Sequence, residues 1–198
     1  MHMTLALSFL VLLTSGLYLL WNRLVVGGPI PFWGRLASAA HIWSGLLFLV
    51  TLVVVWVQWR HDMRLVSHDW EWLRQAGGYL SREHPRLPAG RFNAGQKVWF
   101  RVALMIGIVL GLSGLVLYYP RGLGLTPAVQ WVLFVVHTAG AAVLIPSVMV
   151  HVYLGTLATP GSFTGMVTGR IDENLVRAHH PSMVPIQGGA PAADGTHG

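Results

Sequence analysis

The chain contains no cysteine. That excludes disulfides, cysteine-ligated iron–sulfur clusters and haem attached through thioether bonds. Charge is nearly as scarce: Asp, Glu, Lys and Arg make up 10% of the 198 residues, against 54% hydrophobic. With a mean hydropathy of +0.56, the composition lies outside the soluble globular range and reads as a membrane protein. No glycine-rich nucleotide-binding loop is present, so nothing in the chain oxidises a soluble substrate unaided. The net charge of +6 would suggest a nucleic-acid partner in a soluble protein. Here the basic residues fall between apolar runs, which makes them topology signals, with no nucleic acid implied.

What remains is an all-α membrane protein, a four-helix transmembrane bundle. The first span, about 4–21, reads TLALSFLVLLTSGLYLLW and is followed by Asn22 and Arg23. It has no basic leader and no A-x-A cleavage site, so it is a transmembrane helix and not a secretory signal. Gly27, Gly28, Pro29 and Pro31 break the chain before the second span, about 36–59. Residues 60–97 form a polar connection, with a short interfacial helix around Trp70 and Trp72 and with His61, His68 and His84 at the surface. The third span, about 98–119, carries Gly107, Gly111 and Gly114, a small-residue face for a neighbouring helix or a cofactor. The fourth covers about 130–154. Residues 1–181 therefore form one transmembrane domain, and 182–198, whose last stretch is rich in Gly and Ala, form a disordered tail.

Orientation follows from Lys and Arg. Ten lie in the stretch 60–101 and the tail (Arg60, Arg64, Arg74, Arg82, Arg86, Arg91, Lys97, Arg101, Arg170, Arg177), and three on the other side (Arg23, Arg35, Arg121). The positive-inside rule puts both termini and the 60–97 connection in the cytoplasm.

The fourth span holds two histidines, His137 and His151, where ionisable groups are costly and usually functional. Fourteen residues separate them, about 21 Å of helix rise and nearly whole turns, so both leave one face at two depths. A lone buried histidine is commonly a core residue satisfied by neighbours. The topology, however, puts His41 at the height of His137 near the outer surface and His2 at the height of His151 near the inner one. Gly45, one turn after His41, leaves room for a flat ring or a close helix. Two matched pairs read as axial ligands of two haems b, His41 with His137 outside and His2 with His151 inside. The competing reading is a transporter with histidines along an ion path, which has no haem absorption bands.

Four stretches give this sequence a family likeness: His2 followed by Ser15-Gly16, His41 at the head of the second span, Phe92-Asn93-Ala94-Gly95-Gln96-Lys97 before the third, and His137 with His151-Val152-Tyr153. Gly165-Met166, Gly169 and Ala178-His179-His180-Pro181 extend it into the tail. With these the chain resembles the membrane gamma subunit of respiratory formate dehydrogenase, a b-type cytochrome of the bacterial cytoplasmic (inner) membrane. Family members carry a basic segment ahead of the first ligand, whereas here Met1 alone precedes His2.

The resemblance implies an electron-transfer subunit with no formate-oxidising centre of its own. Its partners would be an iron–sulfur subunit and a molybdenum or tungsten catalytic subunit outside the cytoplasm, and its acceptor a quinone at the inner haem. The loops Pro29 to Arg35 and Pro120 to Pro127 are the expected docking surface for the iron–sulfur subunit. Asn93, Gly95 and Gln96 are the expected quinone contacts, being polar or backbone-exposing and at the height of His151. The plainer reading of that block is a helix cap at Asn93, with Lys97 reaching to the headgroups. A close relative in architecture is the cytochrome b subunit of membrane-bound hydrogenase, which the identity of the co-purified large subunit separates.

Overall fold

In the computed structural model, which describes residues 1–27, 31–78, 87, 89–120, 122–159 and 161–169, every regular element among the described residues is a helix. Four are long: α1 (His2–Trp21, prolonged by a π-helical turn at Asn22–Val26), α2 (Phe32–Trp59), α4 (Ala94–Tyr118) and α5 (Pro127–Thr156). Two short ones, α3 (Ser67–Arg74) and α6 (Ser162–Thr168), lie in the connection and after α5. The four long helices are each apolar and long enough to cross a membrane. Gly28, Pro29, Arg82, His84, Arg86, Arg121, Arg170, Arg177, the segment Ala178–Pro181 and the tail 182–198 lie outside the described residues.

The helices α2, α4 and α5 start three to four residues before the apolar runs do, at Phe32, Ala94 and Pro127. A hydropathy run marks where lipid begins, whereas a helix begins at its cap. Asn93 accepts the Gln96 N–H and Thr126 the Val129 N–H, with Pro127 in the first turn, where its missing N–H costs nothing.

The helix α1 packs on α2, α2 on α4, and α4 on α5, whereas α5 packs closely on neither α1 nor α2. Polarity is inverted relative to a soluble bundle. Ser8, Ser15, Ser44, Thr51 and Ser113 are buried, while Leu7, Leu10, Leu17, Trp43, Val50, Met105, Leu112 and Met149 face outward. In lipid, small residues that let backbones approach hold helices together, since burying leucine gains nothing over tail contact. The inward hydroxyls donate to carbonyls one turn back, as Ser8 to Thr4, Ser44 to Ala40 and Thr51 to Leu47. A Cβ on Gly107 would stand 2.6 Å from Leu52, and one on Gly111 2.9 Å from Leu49, so these two glycines set the α2–α4 seam. Gly45 likewise meets Leu12 of α1 and serves packing.

A compact cluster of Val55, Met63 and Phe100, flanked by Leu5, Trp59, Phe92 and Leu104, closes the end where the connection folds back. There α3 is pinned to the first turn of α4. Lys97 Nζ donates to Asp69 Oδ2 at 2.8 Å, and both side chains are buried. Lys97 thus does not reach for headgroups: a carboxylate supplied by the connection gives it a closer partner. The Trp72 indole fits between two glycines, where a Cβ on Gly77 or Gly95 would stand 2.5 Å or 2.7 Å from its ring.

Candidate functional site

Elementary helix geometry puts His137 and His151 on one face of α5, and the bundle brings a second imidazole to each. His41 of α2 faces His137 with ring centroids 6.2 Å apart. His2 of α1 faces His151 at 6.0 Å. These are the two pairs expected from topology. They span the interval across which α5 packs closely on neither α1 nor α2. His61 and His68 stay in the connection, His61 beside Arg60 and His68 4.0 Å from Asp69.

At the first level, Ser15 Oγ lies 3.0 Å from His41 Nδ1, and Ser113 Oγ lies 3.0 Å from His137 Nδ1. Gly16 and Gly114 admit the rings: a Cβ there would stand 3.0 and 3.1 Å from the respective Cε1 atoms. Gly114, unlike Gly107 and Gly111, therefore serves an imidazole and not the helix seam. At the second level the surroundings differ. The Trp99 indole stacks on His151 at 4.0 Å and 6°, and His2 Nδ1 and Trp99 Nε1 are buried without hydrogen-bond partners.

Asn93 caps α4 and Gly95 and Gln96 lie in its first turn, all two turns or less from Trp99. The Asn93 and Gln96 side-chain oxygens are used reciprocally, accepting the Gln96 N–H at 2.9 Å and the Asn93 N–H at 3.0 Å. This is a complete capping box. With those oxygens engaged, the groups the two amides offer as donors are their NH2 groups. Gly95 is covered by Trp72.

Sequence reasoning named the four histidines and missed Ser113 and Trp99 as their surroundings, and it missed Asp69 as the partner of Lys97. Hydroxyls inside otherwise apolar helices, each followed directly by glycine, were the available signal.

Residues 1–169 match the family described as prokaryotic cytochrome b561. The chain belongs to that family. Among its relatives, the cytochrome b556(Fdn) subunit of the nitrate-inducible formate dehydrogenase of Escherichia coli (strain K12) is 26% identical over 188 residues, 91% of this chain and 83% of the relative. The cytochrome b556(fdo) subunit of formate dehydrogenase from the same organism is 26% identical over 187 residues, covering 91% and 85%. A formate dehydrogenase cytochrome b556 subunit of Haemophilus influenzae is 25% identical over 166 residues, covering 81% and 66%. The resemblance drawn from the histidines and the 92–97 block is borne out. This cytochrome is a multi-pass membrane protein of a haem b family.

The residues fit that cofactor. Two imidazole nitrogens, each about 2 Å from one metal and about 1 Å from its own ring centre, require centroids roughly 6 Å apart. Both pairs meet this, at 6.2 and 6.0 Å. Among the described residues no three His, Cys, Asp or Glu side chains gather as a bare metal ion would need. A porphyrin, which brings four nitrogens and lacks two, suits a pair.

Proposed function

We propose that this cytochrome is the di-haem electron-transfer subunit of a formate dehydrogenase complex, passing electrons across the bacterial cytoplasmic membrane to quinone. The observation that carries the reading is the two facing imidazole pairs at two levels, each sharing α5. His41 and His137 hold one haem b, His2 and His151 the other. When bound, haem b supplies one-electron exchange at its iron.

The rest is work for the chain's own residues. Facing imidazoles would supply each iron with two protein nitrogens and leave no place for oxygen, which would suit electron transfer over ligand chemistry. Without cysteine the chain supplies no iron–sulfur relay, so electrons reach it from an iron–sulfur subunit, itself fed by a molybdenum or tungsten catalytic subunit. That subunit docks outside, against the ends containing Phe32–Arg35 and Pro120–Pro127, near the His41/His137 level. Quinone binds at the His2/His151 level, with donors from the Asn93 and Gln96 amides and the backbone at Gly95. It takes two electrons, one at a time, and two protons from cytoplasmic water.

The test is a pyridine haemochrome assay on the intact wild-type chain, expected to give two haems b. His137→Ala removes one and His151→Ala the other, each variant keeping the second haem. One haem or fewer per wild-type chain would sink the proposal.

A further inference from the structure

The helices α1 and α4 carry the same stretch of sequence. Val11-Leu12, Ser15-Gly16-Leu17 and Leu19 fall in register with Val109-Leu110, Ser113-Gly114-Leu115 and Leu117. Each stretch holds the imidazole of its hairpin partner in the same way. The hydroxyl lies 3.0 Å from Nδ1 in both, and the glycine faces Cε1 in both. The hairpins α1–α2 and α4–α5 thus present His41 and His137 through equivalent contacts. Among the described residues nothing comparable stands at the other level, where His2 Nδ1 has no hydrogen-bond partner and His151 is met by an indole face.

The direction of these hydrogen bonds follows from the helix. Ser15 Oγ–H donates to the Val11 carbonyl and Ser113 Oγ–H to the Val109 carbonyl, as serines in apolar helices do. A hydroxyl has a single proton, so toward the imidazole each oxygen is an acceptor, beside the Leu12 carbonyl for His41 and the Leu110 carbonyl for His137, and each Nδ1 carries the hydrogen. Nε2 is then left with its lone pair, the form that binds a metal.

We propose that Ser15 and Ser113 are positioning residues of the His41/His137 pair: each fixes the Nδ1–H tautomer and ring orientation and, by accepting that hydrogen, makes Nε2 a stronger electron donor. The proposal rests on the reading that His41 and His137 ligate one haem. An acceptor behind a ligating histidine raises ligand basicity. A more basic ligand favours the ferric iron and lowers the midpoint potential, and the His2/His151 level lacks this push.

The experiment uses the full chain purified from membranes with its accompanying subunits, in wild type, Ser15→Ala, Ser113→Ala, the double variant and the two Ser→Thr variants. Haem content, redox titration and the low-spin ferric electron paramagnetic resonance signals are read together. The component lost in His137→Ala identifies this level. Its potential is expected to rise in each alanine variant and further in the double, with its resonance altered, while the other component stays put. Threonine, which keeps the hydroxyl, restores wild-type values. Unmoved potentials at full haem content overturn the proposal, as does an equal shift of both components. If the alanine variants lose the haem, the threonine variants decide: wild-type content and potential uphold the hydroxyl's role, and loss there too assigns it to packing. A His137→Ala variant that keeps both haems overturns the haem assignment itself, a result distinct from any serine outcome.

Discussion

Asp69 has no exposed surface, yet it is charged chemistry placed in a short connection helix. Burial alone pushes its carboxyl up, but the Lys97 ammonium, the Val66 amide and the neighbouring charge of His68 together hold it below the usual carboxylate value. A depressed folded-state value means that the ionised form stabilises the fold above the unfolded pKa of about 3.9, and that this stabilisation is lost as pH falls through the folded value. The connection should therefore stay docked through the mildly acidic range and loosen only in strong acid, read as tryptophan fluorescence from Trp70 and Trp72 against pH. Removing one partner should cost far more than removing both. Lys97→Met leaves a buried carboxylate alone and is expected to cost about 3–5 kcal/mol in detergent unfolding, whereas Asp69→Leu with Lys97→Met should restore most of it. A single and a double variant of equal stability would refute this. None of it was legible in the sequence, because the two residues are 28 positions apart with no periodicity to link them. The histidines were legible because one helix and one topology fix their heights.

The first turn of α4 serves two ends at once: it starts a helix and, under the proposed function, faces quinone. Asn93→Ala removes the capping box oxygen and should cost about 1 kcal/mol of stability. As a quinone contact it should also abolish quinone reduction while both haems still accept electrons from the donor subunit. Wild-type turnover per haem would leave Asn93 a cap and nothing more. Gly95→Leu drives a side chain into the Trp72 ring, so it should release α3 and raise protease cleavage in the connection. The elements themselves were easy to read, since apolar runs of this length admit few alternatives. Their starts were not, because the caps at Asn93 and Thr126 are polar and lie beyond the run. The order in which glycines serve helices or imidazoles was also hidden, since Gly107 and Gly114 differ only by which neighbour the bundle turns toward them.

For the whole molecule, the asymmetry of Lys and Arg predicts that the connection and the His2/His151 level are cytoplasmic. The chain's own lack of cysteine makes the test clean. In cells that make the chain without its iron–sulfur subunit, which would cover this loop, Leu123→Cys should react with an impermeant maleimide on intact cells, and His61→Cys only after the membrane is opened. The reverse pattern would invert the proposed direction of electron flow. One feature of the bundle reaches beyond catalysis. Because α5 packs closely on α4 but on neither α1 nor α2, a chain short of haem has two hairpins joined along a single α2–α4 seam, with one flank of α5 left to lipid. The cofactor is then mortar as well as cargo. Under the proposed function, chains made without haem are therefore expected to keep that flank of α5 open and to be degraded faster in a pulse-chase than haem-loaded ones.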